Sequence, residues 1–330
     1  MAKEFKAFVI EEQDGKYIRS IKTRTIDSLP AGEVLIKVNY SSLNYKDALS
    51  STGAKGITPK YPHTPGIDAA GVVEESSSDK FKAGDKVVVT GYDFGMGTDG
   101  GFGQYVRVPA EWPVLLPDGL SLKESMMIGT AGLTAGMSIL KLSEQVKPAD
   151  GKIAVSGATG GVGSMSVAIL SKLGYDVVAI SGKKEEEDYL KKLGAKEIIS
   201  RDEFGVKDAR PFLKSRFAGG IDVVGGVILD NMIKSTQALG VVTCCGMASS
   251  PVLDLTVFPF ILKGISLIGI DSQKCPKNIR NIVWAKLAKE WKLDNLEEVC
   301  VEKGLNELSA CVDEMMAGKL KGRIIVNLDK

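Results

Sequence analysis

The chain is poor in the side chains that hold metals. Its 330 residues include one histidine, His63, and five cysteines, at 244, 245, 275, 300 and 311. The cysteines are odd in number, show no CxxC pairing and are absent from the first 122 residues. Catalytic zinc takes about three protein ligands and structural zinc about four, so no zinc site is expected. Reduced, mostly buried thiols are the expected state. His63 stands between two prolines in PKYPHTPG, where a packing or turn role fits best. Without a GxSxG elbow it has no nucleophilic serine to serve, and no Walker motif is present. There is no charge excess either: 42 basic against 41 acidic residues leave +1. A nucleic-acid or membrane-surface partner is therefore not expected. No run of 18 apolar residues occurs, and MAKEFKAFVIEEQDGK has no secretory h-region. A soluble, cytoplasmic protein is the expectation.

With 44% hydrophobic residues, there is enough apolar material for two domains. The first 120 residues carry short β-type runs punctuated by Gly and Pro, such as 33–40, 69–74, 85–90 and 104–108. From about Ser121 apolar strands alternate with helices. The strands fall at 152–156, 176–181, 197–200, 221–224, 240–244 and 266–270, the signature of a doubly wound parallel sheet. Between them lie helical segments such as 164–173 and 185–193, and another helix runs from Lys277 to about Trp291. The segment 308–328 reads as helix, turn and strand, and that last strand is expected to join the N-terminal sheet. The domains are thus 1–122 with 294–330, and 123–293, with a cleft between.

The stretch IAVSGATGGVGSMSVAIL follows a strand and opens a helix. Its Ala158-x-Gly160-x-x-Gly163 spacing is a dinucleotide fingerprint in the right context. Gly160 lets the backbone approach a pyrophosphate, Gly163 lets helix and strand pack closely, and the helix N-terminus favours the anion. NAD sites usually carry an acid at the tip of the second strand. Here the tip is Ser181-Gly182-Lys183-Lys184, with Arg201 after the third strand. A hydroxyl and cations suit the 2′-phosphate of NADPH. Glu185, Glu186 and Glu187 follow at once and keep NADH open.

Read together, Pro65–Gly71 (PGIDAAG), Lys82–Val87 (KAGDKV), the glycine loop and the C-terminal GRIIV resemble the medium-chain dehydrogenase/reductase superfamily along the whole chain. Zinc alcohol dehydrogenases continue the PG stretch with a His-Glu pair; Ile67-Asp68 stands here, as in the zinc-free branch. SSLNYKDAL (41–49), MIGTAGLTA (127–135), SGATGGVGS (156–164), LGAKEIISRDEF (193–204) and PFILKGISLIGIDS (259–272) are similar to the acrylyl-CoA reductase and quinone oxidoreductase group. The resemblance implies a GroES-like β-rich catalytic domain and a Rossmann domain. It places Tyr45 near the nicotinamide and Thr159, Gly160, Gly161 and Val162 on the pyrophosphate. It places Ser181, Gly182 and Lys183 on the 2′-phosphate, with Arg201 at the adenosine end. It also implies that Met247, Ile261 and Ser272 line the nicotinamide side, and that Arg323 reaches the cofactor. Lys183 stands where the family often has Arg, losing the bidentate fork.

The implied activity is zinc-independent hydride transfer from NADPH to the C=C of a short 2-enoyl-CoA, acryloyl-CoA to propanoyl-CoA. NADPH:quinone reduction and a non-catalytic NADPH-binding role are the alternatives. Without a metal, the developing enolate needs hydrogen-bond donors. Asn44-Tyr45-Lys46-Asp47 is the candidate cluster. Tyr45 is the orienting group and a weaker candidate for proton donor. Asn44 is a candidate to hold a carboxamide or substrate, and Asp47 to act in the site or anchor the loop. The competing reading makes Asn44 and Asp47 helix caps. Lys55 and Lys60 are candidates for CoA phosphates. The family also implies a homodimer, here through 251–270.

Overall fold

Asp14 and Gly15 both adopt left-handed φ, 51° and 75°. This two-residue turn joins β1 (Glu4–Gln13) to β2 (Lys16–Thr25), as expected for Asp-Gly in a hairpin. β1 is buried on both faces: Phe5, Ala7 and Val9 pack with Leu35 and Tyr105, while Phe8 and Ile10 join the main core. The computed structural model describes residues 3–330. It divides into two units, one taking the chain up to Thr130 with Gln273–Lys277 and Asn295–Lys330, the other Ala131–Ser272 and Asn278–Asp294.

In the first unit β3 (Val34–Leu43), α1 (Tyr45–Ser51), β4 (Asp68–Ser76), β5 (Lys86–Thr90), β6 (Tyr105–Val108) and β7 (Val114–Leu115) follow in order. Gly71, in β4, is required by the pairing: a Cβ there would lie 2.0 Å from the Lys37 carbonyl oxygen. The next helix, α2 (Leu122–Ser143), breaks at Gly129, with φ 51° and ψ −158°. It is long and apolar enough to cross a membrane, yet its apolar window is 83% buried.

The second unit contains β8 (Ile153–Ser156), α3 (Gly161–Lys172), β9 (Val177–Ser181), α4 (Glu187–Lys192), β10 (Glu197–Ser200), α5 (Arg201–Phe204), β11 (Phe217–Asp222), α6 (Gly226–Lys234), β12 (Thr236–Cys244), α7 (Phe258–Lys263), β13 (Ser266–Gly269) and most of α8 (Lys277–Ala288). Its six strands are parallel in the order β10-β9-β8-β11-β12-β13. That is the doubly wound order 3-2-1-4-5-6.

Two expected strands move. The expected strand at 221–224 starts instead at Phe217, and the one at 240–244 starts at Thr236. Gly219 and Gly220 fall outside the expected strand but inside β11, and Gly240 lies within β12 rather than at its start. A Cβ on them would meet Val241 O at 2.5 Å, Met232 Sδ at 2.3 Å and Ala218 O at 2.4 Å. Glycine inside a strand marks close backbone approach as readily as a turn.

The chain then adds β14 (Cys300–Gly304), α9 (Leu308–Met316) and β15 (Arg323–Asn327) to the first unit. β15 pairs antiparallel with β3 and parallel with β14, completing a sheet of order β14-β15-β3-β4-β5-β7 with β6 on β3. Leu308, Val312, Ile324 and Val326 enter the same core as Ile36, Val38, Val87 and Val106.

Candidate functional site

Each unit carries one group of the candidate residues. In the first, β3 ends at Leu43 and Asn44 caps α1, so Tyr45 is its first residue. Asp47 turns its carboxylate back to accept Asn44 N–H (2.8 Å), and also accepts N–H from Gly66 (3.1 Å) and Ile67 (2.8 Å). Burial, and then the Asp68 charge, push the Asp47 carboxyl up to about 7 against the pull of these donors.

Asp68 was missed as a site residue in the sequence, where it is one acid in an apolar motif. It is fully buried. Its carboxylate accepts from Ser42 Oγ (2.6 Å), Asn44 Nδ2 (2.8 Å), Thr130 N–H (2.9 Å) and Thr130 Oγ1 (2.6 Å). Arg323, at the start of β15, lies 3.6 Å away. Its guanidinium donates to Asn44 Oδ1 (2.9 Å), Ser42 Oγ (2.8 Å) and Met127 O (3.3 Å). Gly129 makes room for this pair: a Cβ would sit 2.4 Å from Arg323 and 2.6 Å from Asp68.

This geometry places Asn44 and Asp47 in the helix cap that is one reading of the sequence, and Arg323 beside them. Asp47 is fully buried among backbone N–H groups and anchors the loop. The carboxamide of Asn44 is used at both ends, by Asp68 and Arg323. Arg323 is 3% exposed and each of its nitrogens has a protein acceptor, so its guanidinium is part of the buried network. Tyr45 differs from all three: it is 52% exposed.

In the second unit β8 leads into Gly157, which takes φ 56°, and Gly160 is the N-cap of α3 with no side-chain cap. Gly160, Gly161 and Val162 are half-buried, so N–H groups of the first turn remain open to an anion, whereas Thr159 is buried. A Cβ on Gly163 would lie 2.2 Å from Gly157 O, which fixes glycine where helix meets strand. Below the loop Ser156 Oγ donates to Asp222 (2.6 Å), whose other oxygen accepts Gly225 N–H (2.7 Å).

At the tip of β9 Ser181 Oγ accepts the Lys183 N–H (3.0 Å). The Arg201 guanidinium lies flat against Gly182: a Cβ there would meet its Cζ at 2.7 Å and two of its nitrogens within 2.9 Å. The Ser181 hydroxyl, Gly182, the Lys183 backbone and the Arg201 guanidinium are thus brought together. Arg201 also walls a cavity of about 570 Å³ with Lys207, Gly226, Ile228 and Ser250. Ser272 is held by Thr134 (hydroxyl to hydroxyl, 2.8 Å) and by Arg280, which donates to its carbonyl (3.0 Å). Met247 and Ile261 are 70% and 68% exposed. His63 is buried, with Nε2 2.9 Å from Gly95 O. Among the described residues no group of three or more His, Cys, Asp or Glu is placed to hold a metal ion.

Comparison with known proteins agrees with this architecture. Residues 30–118 match the alcohol dehydrogenase GroES-like domain, and residues 161–289 the family described as zinc-binding dehydrogenase. The chain is 41% identical to "Putative quinone oxidoreductase YhfP" of Bacillus subtilis, over 99% of this chain and all of that one. The solved structure of yhfP, with NAD bound, has a TM-score of 0.96 over 99% of this chain and 100% of that one. This chain is 40% identical to acrylyl-CoA reductase AcuI of Ruegeria pomeroyi, over 98% of this chain and 99% of that one. The yhdH oxidoreductase of Salmonella enterica, solved in complex with NADP, is 41% identical with a TM-score of 0.96, covering 98% and 99%. The chain belongs to the medium-chain dehydrogenase/reductase family, in the zinc-free group of acrylyl-CoA reductases and quinone oxidoreductases.

Replacing Arg323 with Met leaves Asp68 buried without its partner charge. The expected loss is about 3–5 kcal/mol of stability, read as a lower urea midpoint with an unchanged slope.

Proposed function

We propose that the protein is a zinc-independent, NADPH-dependent reductase of the activated C=C bond of a short 2-enoyl-CoA, turning acryloyl-CoA into propanoyl-CoA. The observation that carries this reading is the end-to-end 40% identity to an acrylyl-CoA reductase. The equally long match to YhfP supports quinone reduction as the second reading.

The residues fit the cofactor. The open N-terminus of α3 would hold its pyrophosphate, and the Ser181–Lys183 turn with Arg201 its 2′-phosphate. The absence of an acid at the tip of β9 favours NADPH over NADH. When bound, the cofactor supplies a hydride. Tyr45 donates its phenolic hydrogen bond to the thioester carbonyl oxygen as negative charge develops there. Asn44, Asp47, Asp68 and Arg323 act on substrate only through the fixed geometry of the α1 start.

The exposed edge of β13 and the apolar Val257, Phe258, Ile261 and Leu262, between 44% and 68% exposed, support a homodimer through 251–270. This would give Ile261 an interface role in place of a nicotinamide contact. The composition supports a cytoplasmic location.

The first test is NADPH consumption with acryloyl-CoA, run beside a quinone and with NADH in parallel. Saturable turnover with acryloyl-CoA is expected, and activity with quinones alone would replace the first reading by the second. Tyr45→Phe should lower turnover by about tenfold or more at unchanged NADPH affinity; an unchanged rate removes Tyr45 from the chemistry. Arg201→Ala should weaken NADPH binding by about tenfold or more and leave NADH binding nearly unchanged. Equal loss for both would place Arg201 away from the 2′-phosphate. Light scattering should give twice the chain mass, and a monomer would discard the interface.

A further inference from the structure

Gln273 belongs to no motif, yet it meets the start of α1 directly. Its side-chain oxygen accepts the Lys46 ammonium at 2.7 Å, and Lys46 is the residue after Tyr45. Its backbone carbonyl accepts the Tyr92 N–H at 2.9 Å. Tyr92 is one of three non-glycine residues among those described with positive φ, at 58°. Its ring stacks on Trp112 at 5.5 Å and 5° between planes, and Trp112 meets the buried Phe94 edge-on. All these residues belong to the first unit. A strained backbone held by stacking thus fixes Gln273, and Gln273 fixes Lys46.

We propose that Gln273 is a positioning residue, whose side-chain carbonyl holds Lys46 and so sets the first turn of α1 that presents Tyr45. The inference rests on the role given to Tyr45 above. The buried carboxylates secure α1 from beneath through Asn44 and Asp47, whereas Tyr45 itself is half in solvent. A second tether on the adjacent side chain restricts the rotation of that turn. Glutamine suits the task because its side-chain carbonyl accepts the Lys46 hydrogen bond directly. Small displacements of such a group are costly in rate, on the order of 10²-fold for about 1 Å.

The test compares Gln273→Ala with Gln273→Glu, which keeps an acceptor for Lys46. Gln273→Ala should lower kcat by about fivefold or more with the KM for NADPH and the melting temperature unchanged. It should also speed amide hydrogen exchange across residues 45–51. Gln273→Glu should restore slow exchange and most of kcat. Unchanged kcat and exchange in Gln273→Ala overturns the proposal, as does equal impairment of both variants. The exchange measurement needs no substrate. If wild-type protein reduces neither acryloyl-CoA nor a quinone, the reductase reading fails, while the tether is still judged by exchange. If wild type is active and Gln273→Ala matches it in rate and exchange, the tether alone fails.

Discussion

An aspartate and an arginine, both removed from water, meet at the polar end of the first unit. Burying two charges costs several kcal/mol each unless geometry and hydrogen bonds offset it. Here the offset is nearly complete. Asp68 accepts from Ser42, Asn44 and Thr130, and Arg323 donates to Ser42, Asn44 and Met127. The pair therefore joins β3, β4, β15 and the break in α2. None of these can shift without leaving a charge unpaired, which makes the arrangement a stringent condition on the fold. It also dictates Gly129, because no side chain fits between the two charged groups.

The same condition propagates to α1. Asn44 is gripped by both charges, and Asp47 is held between the α1 start and the Gly66–Ile67 turn. The first turn of the helix is thereby fixed in position and direction. The second unit meets its own constraint with glycine. Gly157, Gly163 and Gly182 each stand where a Cβ would strike backbone, a neighbouring side chain or the Arg201 guanidinium. One unit uses buried charge to fix a polar end, and the other uses missing side chains to pack its turns closely.

Much of this was legible in the sequence, for physical reasons that differ by element. The parallel sheet could be read because buried strands are apolar throughout and helices separate them. The glycine turn that opens α3 could be read because its glycines obey a spacing set by one turn of helix on one strand. β11 was misplaced because Gly219 and Gly220 look alike whether they bend a chain or let two chains touch. The burial of Asn44, Asp47 and Arg323 could not be read because polarity and motif membership say nothing of burial. A buried polar side chain and an exposed catalytic one have the same letter. Asp68 stood in a quoted motif, but its partners lie 26, 24, 62 and 255 positions away along the chain (Ser42, Asn44, Thr130 and Arg323). No local pattern encodes that convergence.

The division between buried and exposed polarity also bears on the proposed chemistry. A carboxylate and guanidinium that already satisfy each other have little left to offer a reacting anion. Their field is fixed and their protons are committed. A donor for a transient negative charge must instead be unspent in the ground state and close to solvent for its proton. Among Asn44, Tyr45, Asp47, Asp68 and Arg323, only Tyr45 is exposed. The buried network is then best understood as the rigid support that lets one exposed phenol keep its place, since preorganisation requires the supporting groups to be locked before the reacting group arrives.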